Sequence, residues 1–484
     1  MAGSFIPEKG EGGLSRRKFL GLAAGSSLLS LVNISPVLAG KIDTGGYPVL
    51  TDYVGRLCYN ENPLGPSPLA MTAITEHVNM AHRYPDWYAE SLRGDLADLH
   101  NVNQNQTIAG CGATEILRVC ALAFLNGGCN VVAPYPTYSQ FPADAGLIGA
   151  DVRYSDVDDD YLIDLDNMLS RVDSGTKAVI ITNPNNPTGT VATADAIEAF
   201  VDALPSQVVT IIDEAYHEYV DDPGYRTAIE LVRRDKKVVV IRTFSKVYGL
   251  AGMRIGYAVG RQELIQQMMS WHVYGSVSRL GSDAARAALD DSEHINNTVT
   301  LNNQAKQYCF DAFTTMGLSY IPSQTNFFMV ATELPSSQLA NQLSQHGIQV
   351  RTGWGMPNHI RVSTGTMEEM ENFIIALQEI LDNVSAGDIS RPVATSLDGN
   401  YPNPFNSSTR ISYSVTKAGH VRIQIFNIRG QLVKTVVDEV KLPGMYVFTW
   451  NGRNQSGNQV ASGSYFYRMT TGDFAQTRRM ILIK

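Results

Sequence analysis

Between residues 45 and about 384, short runs of consecutive apolar residues alternate with segments whose apolar positions recur at helical spacing. Residues 131–136 (VVAPYP), 177–187 (KAVIITNPNNP), 207–216 (QVVTIIDEAY) and 236–246 (KKVVVIRTFSK) have the form of strands. Residues 192–204 (ATADAIEAFVDAL) carry the helical period. Such alternation predicts an α/β fold, a mostly parallel sheet covered by helices. The pattern changes near residue 385. Residues 383–400 (NVSAGDISRPVATSLDGN) read as a linker. Beyond it come short alternating segments bounded by turn residues: TRISYSV, HVRIQIFNIRG, QLVKTVV, MYVFTWNGRNQSG and GSYFYRM. They predict a small β-sandwich. No internal repeat is found.

The first forty residues do not fit either pattern. Ser15-Arg16-Arg17-Lys18-Phe19-Leu20 precedes a mildly apolar stretch rich in Gly and Ser, and Val37-Leu38-Ala39 supplies small residues for a cut after Ala39. The stretch is too short and too rich in small residues for a good membrane span. Residues 1–39 are therefore expected to be an export signal. The paired arginines resemble a twin-arginine signal, a route that carries folded proteins. A Sec signal or an uncleaved anchor is the alternative.

Composition narrows the field further. The 484 residues give room for about two to four domains. Hydrophobic residues are 44% and charged residues 18%, as in globular cores, and the net charge of −9 argues against a nucleic-acid partner. Cys58, Cys111, Cys120, Cys129 and Cys309 show no metal-ligand spacing. That argues against a structural zinc site and a disulfide framework, although one pair could form in an oxidising compartment.

Three of the strand-like runs end on polar residues foreign to a core: Asn183 to Asn186, Asp213 and Lys246. Open α/β sheets bind ligands at the carboxyl ends of their strands, so parallel strands would bring these side chains to one crevice. A lysine amine can condense with an aldehyde. A carboxylate can hold a ring nitrogen protonated, and Asn or Tyr can hydrogen-bond a ring oxygen. Residues 109–124 (AGCGATEILRVCALAF) place Gly110, Gly112, Ala113 and Thr114 at the start of a helical run, where backbone N–H groups bind anions. Alone, that cluster is an ordinary helix start. Thr243, Ser245 and Arg254 supply a side-chain half of the same cup. Pyridoxal phosphate carries the aldehyde, ring nitrogen, ring oxygen and phosphate that this set would meet.

These residues resemble the fold-type-I pyridoxal-phosphate aminotransferases, and within them the histidinol-phosphate aminotransferase branch. The resemblance rests on YNENPLGPSP (59–68), RYPD (83–86), GATE (112–115), PYPTY (134–138), NPNNPTG (183–189), DEAY (213–216), TFSKVYGLAGMRIG (243–256), PSQTNFF (322–328) and HIRVSTGT (359–366), in the family's order. It implies a catalytic part over 40–384, with a large domain at about 76–290 and a small one from 40–75 and 291–384. It implies that Lys246 holds the cofactor and moves a proton, and that Asp213 pairs with the ring nitrogen. Asn186 and Tyr216 would contact the ring hydroxyl, and Tyr138 would stack on the ring. Ala113, Thr114, Thr243, Ser245 and Arg254 would bind the phosphate. Tyr84 would reach the neighbouring subunit's cofactor, which implies a homodimer. Arg361 would clamp the substrate's polar end. Arg351 matches an arginine near the substrate phosphate, its alternative being a solvated charge after a strand.

An amino donor and a 2-oxo acid are the implied small-molecule partners. A decarboxylase or lyase on the same fold, of the phosphothreonine decarboxylase type, is a second reading, and an inactive surface protein a third. Beyond a linker at 385–399, YPNPFN (401–406), residues 421–436, residues 444–469 and the terminal RRMILIK resemble an Ig-like sorting domain of type IX secretion, over 400–484. A carbohydrate-binding or spacer sandwich is the alternative. Both ends thus point to export, with the export machinery as partner and the periplasm, outer-membrane surface or medium as destination.

Overall fold

The computed structural model describes residues 54–386, 395–406 and 408–483. The expected export signal lies outside the described residues, as do residues 387–394 of the expected linker. A two-residue strand, β1 (Gly55–Arg56), comes first. Seven strands then build the main sheet: β2 (Thr107–Cys111), β3 (Asn130–Tyr135), β4 (Asp151–Asp156), β5 (Thr176–Thr182), β6 (Val209–Asp213), β7 (Val238–Thr243) and β8 (Ile255–Gly260). Their order across the sheet is β2-β8-β7-β6-β5-β3-β4. Only β8 runs against its neighbours β2 and β7; the pairs from β7 to β4 are all parallel.

The strands read as unbroken apolar runs because both faces of the sheet are covered. Successive side chains point to opposite faces. Val238 and Val240 of β7 therefore enter one buried cluster, and Val239 and Ile241 enter another. A third core surrounds β9 (Tyr320–Ile321), β10 (Phe327–Ala331), β11 (Ile348–Gln349) and β12 (His359–Ser363). There β12, β10 and β9 form one antiparallel sheet, and β11 pairs with β1. The helix Ser292–Met316 joins the two parts: Ile295 and Val299 pack on the main sheet's cluster, while Ala305, Cys309 and Phe313 enter the third core.

That helix corrects the expected division at residue 291, since its first turns belong with the large part. The helix Pro68–His77, expected mostly in the small part, buries Ala70 with the main sheet. The last segment forms two antiparallel sheets. One contains β13 (Ser396–Tyr401), β14 (Thr409–Val415) and β17 (Gly444–Trp450); the other contains β15 (Gly419–Asn427), β16 (Leu432–Lys441), β18 (Gly463–Thr471) and β19 (Phe474–Leu482). Trp450, Tyr467, Tyr413 and Phe405 fill the space between them. The boundary at 400 is corrected here. β13 starts at Ser396, inside the expected linker, and buries Leu397, while the helix Met367–Ala386 runs into the linker's other end.

Candidate active site

The carboxyl ends of β5, β6 and β7 and the start of the helix Gly112–Phe124 surround a cavity of about 370 Å³. Ala113, Thr114, Tyr138, Asn186, Asp213, Tyr216, Thr243, Ser245, Lys246, Arg254, Arg351 and Arg361 all line it. Tyr84 does not; it is 95% exposed on its own chain.

One end is built for an anion. The helix Gly112–Phe124 leaves β2 directly, so its first N–H groups have no intrahelical partners. Gly112 has φ +74°, and a β-carbon there would run into the Arg254 guanidinium. Glycine thus permits both the turn and the close approach. Arg254 itself adopts φ +59° and donates Nη1 to the Ala251 carbonyl at 3.0 Å, with Ser245 Oγ at 3.5 Å. The Ser245 N–H donates to Thr243 Oγ1 at 3.1 Å, which turns the chain over the end of β7.

The other groups suit an aromatic ring with a basic nitrogen and a hydroxyl. Asp213 ends β6 and is buried, with Oδ1 accepting from the Ala215 N–H at 3.0 Å. Burial pushes its carboxyl up to about 6, against the pull of that N–H and of Lys246. A cationic ring N–H beside it would supply the missing counter-charge. Asn186 Oδ1 accepts from Arg361 Nη1 at 2.7 Å, which leaves Asn186 Nδ2 to donate to a ring oxygen. The Tyr216 hydroxyl accepts from Asn60 Nδ2 at 2.9 Å, which leaves its own proton to donate. Burial raises that phenol to about 12, so it keeps the proton.

Lys246 donates Nζ to the carbonyls of Tyr59 and Asn60 at 3.2 and 3.1 Å. Burial, and next the Arg361 charge, bring its amine down to about 7. A neutral amine is thus available near neutral pH, as a nucleophile toward an aldehyde requires. Arg361, on β12, is buried and held between the rings of Trp354 and Phe327, 5.0 and 5.2 Å away. Its Nη2 donates to the Cys58 carbonyl at 3.0 Å, and its buried Nε has no partner. Arg351 exchanges backbone hydrogen bonds with Arg361 and brings a second guanidinium to the cavity.

Several lining residues had no role assigned from sequence. Asn60 is a hub. Its backbone N–H donates to Ser363 Oγ at 2.8 Å, and its carbonyl accepts from both Lys246 and Asn326. Its φ of +56° is a conformation asparagine tolerates better than most residues. The Asn-rich stretch YNENPLGPSP was the available signal. Arg56, Tyr59, Glu61 and Trp354 form the rim: Arg56 lies 4.6 Å over the Tyr59 ring and 3.3 Å from Glu61. On the opposite face of β6 and β7 lies a second charged group. Arg242 donates Nε and Nη2 to Glu214 Oε2 at 3.0 and 2.8 Å, and Glu214 Oε1 accepts from the Ala228 N–H at 2.6 Å. His100 and His217 nearby are pushed down to about 3, chiefly by burial and then by Arg242, so they add no charge.

An anion cup, a buried carboxylate, two ring-oxygen donors and a low-pKa lysine in one cavity fit pyridoxal phosphate. The fold and this cavity define a pyridoxal-phosphate enzyme of fold type I. The chain belongs to the aminotransferase class I and II family, which matches residues 54–377. The FlgD Ig-like domain family matches residues 404–473. The chain is 38% identical over 334 residues to a histidinol-phosphate aminotransferase of Brevibacillus brevis, covering 69% of this chain and 91% of that one. It is 39% identical over 348 residues to that of Bacillus subtilis, covering 72% and 95%. The histidinol-phosphate aminotransferase of Sinorhizobium meliloti, solved in complex with pyridoxal-5'-phosphate, superposes with a TM-score of 0.65 at 29% identity, covering 69% of this chain and 92% of that one. The protein is thus a histidinol-phosphate-aminotransferase-like enzyme, and its cofactor is pyridoxal phosphate.

Proposed function

We propose that the enzyme moves an amino group between a donor with an anionic far end, resembling histidinol phosphate, and a 2-oxo acid. The observation that carries this is the one cavity that gathers the Lys246 amine, the Asp213 carboxylate and the guanidinium groups of Arg361 and Arg351 on its lining. Bound pyridoxal phosphate withdraws electrons from a substrate's α-carbon. Lys246 would hold the cofactor through Nζ, and once the substrate's own amine had displaced it, the freed Nζ would carry the proton taken from that carbon. Asp213 keeps the ring nitrogen charged, Asn186 and Tyr216 hold the ring oxygen, and Tyr138 covers a ring face. Ala113, Thr114, Thr243, Ser245 and Arg254 hold the phosphate. Arg361 matches a carboxylate in two-point geometry. Arg351 serves the donor's anionic end.

Exposed aromatic residues support the homodimer reading. Trp87 and Tyr274 lie 5.8 Å apart, 66% and 63% exposed, close in sequence to Tyr84 or packed against its neighbours. A second copy would cover them and bring Tyr84 to the other cavity. Export is the second half of the proposal. Arg16 and Arg17 suit a route for a loaded, folded enzyme, and the sandwich suits a type IX sorting signal that places it at the outer membrane or beyond. Borohydride reduction and peptide mapping should label Lys246. A screen of amino donors against keto acids should identify a phosphorylated or otherwise anionic donor. A label elsewhere, or carbon dioxide release in place of keto-acid formation, overturns the reading. Arg16→Lys with Arg17→Lys should retain active precursor in the cytoplasm on fractionation; surface delivery of that variant would refute the twin-arginine route.

A further inference from the structure

The sandwich touches the catalytic part at two places. At the first, Tyr401 packs on Tyr135 with ring centroids 5.8 Å apart, and Tyr135 meets Tyr154 edge-on at 5.7 Å. Ile483 lies 3.9 Å from where a β-carbon on Gly146 would stand. At the second, Ser337 of the helix Ser336–Gln345, beside the third core, lines one small crevice together with Ser396 and Ser414 of the sandwich. The sandwich thus stands on both parts that enclose the cofactor cavity.

The first contact bears on the cavity wall. Ser139 lines both the cofactor cavity and a crevice of about 50 Å³ under residues 401–406. Its neighbour Tyr138 faces the cofactor cavity, and Thr137 faces the crevice. Thr137 Oγ1 is hydrogen-bonded inward to Thr182 at 3.0 Å and to Asn185 at 3.1 Å, next to Asn186. A β-carbon on Gly355, beside Trp354 of the rim, would press on the Tyr135 hydroxyl. One segment, residues 135–139, therefore has the sandwich on its outer side and the ring-covering Tyr138 on its inner side.

We propose that the sandwich buttresses the cofactor cavity from outside, with Tyr401 as a positioning residue for residues 135–139 and through them for Tyr138. The role of Tyr138 rests on the reading of the cavity given above; the buttress does not. The tests use the full chain. In cofactor-free protein, Tyr401→Ser should raise hydrogen exchange across residues 135–148 about tenfold, and Tyr401→Phe should restore it. With cofactor bound, the serine variant should lose visible circular dichroism and hold pyridoxal phosphate about tenfold more weakly. Peptides from β18 and β19 report whether the sandwich stays folded. If Tyr401→Ser loosens them, Ile483→Ser decides the matter, because Ile483 lies outside the sandwich core. Unchanged exchange across 135–148 in a variant with a folded sandwich overturns the buttress. A wild-type protein that takes up no pyridoxal phosphate would overturn the cofactor reading and leave the exchange result standing.

Discussion

Two charged clusters meet at the ends of β6 and β7, one on each face of the sheet, and they are built to opposite rules. On the core face, Arg242, Glu214, Thr227 and the Ala228 N–H satisfy one another in a closed set. On the cavity face, Asp213 holds one N–H, Lys246 rests on two carbonyls, and Arg254 and Arg351 have no carboxylate partner among the described residues. A buried charge without a partner is costly, and a cluster left incomplete marks the place where a ligand completes it. Arg242 and Glu214 are both buried, whereas on the cavity face Asp213 is buried and Arg254 and Arg351 are exposed; closure distinguishes structure from function.

The largest test of that contrast is Lys246→Ala. It should remove covalent attachment and lower turnover by roughly 10⁴-fold, about 5.5 kcal/mol, measured by single-turnover kinetics. The core-face counterpart is Arg242→Met, which should cost about 3–5 kcal/mol of stability in urea unfolding by leaving Glu214 buried and alone. Pairing it with Glu214→Leu should recover most of the loss. If the single variant is as stable as wild type, the two faces do not differ as described.

Asp213→Asn comes next, with turnover reduced about 100-fold or more, roughly 3 kcal/mol, through loss of the ring-nitrogen partner. It should act oppositely on stability. The Asp213 carboxyl is raised from 3.8 to about 6, chiefly by burial. The folded cofactor-free protein therefore holds this proton more tightly than the unfolded chain. Its contribution is fully present below 3.8 and is lost as pH rises through 6. Asp213→Asn should gain on wild type in urea midpoints between those pH values and run parallel above them; a constant difference would contradict the shift. The smallest effect belongs to Tyr84→Phe. Loss of one hydrogen bond, about 1 kcal/mol, should weaken cofactor retention severalfold on dialysis if the proposed homodimer forms. A fully active monomer in sedimentation would remove Tyr84 from the site.

Asp213, Asn186 and Lys246 stood out in the sequence because a polar residue at the end of an apolar run has no core role to play. The main sheet was readable for the same reason, since two covered faces make each strand a continuous apolar run. The Asn60 hub was not readable. Its partners Tyr216, Ser363 and Asn326 come from distant segments, and only folding shows that one side chain and one carbonyl link them. Glu214 and Arg242 were hidden by their neighbours Asp213 and Thr243, because sequence alone does not show which of two adjacent polar residues faces the cavity. β13 was hidden by Gly399 and by polar residues that mimic a linker. Its buried residues Leu397 and Asn400 are three apart instead of two, across a register shift in its pairing with β14.

The anion cup also sets a timetable. Its helix start lies at Gly112 and its guanidinium at Arg254, roughly 140 residues further along the chain, brought together because β2 pairs with β8. Contacts of such long range form slowly, after the loop-closure entropy of everything between them has been met. A ribosome-bound chain shorter than about 260 residues has no β8 and hence no cup. Cofactor capture must therefore follow synthesis and assembly of the whole sheet. In refolding, pyridoxal-phosphate uptake should lag behind the far-ultraviolet signal; simultaneous recovery would show that the cup closes early. Any translocase that takes the chain before that step carries an enzyme that has not yet acquired the means to hold its cofactor.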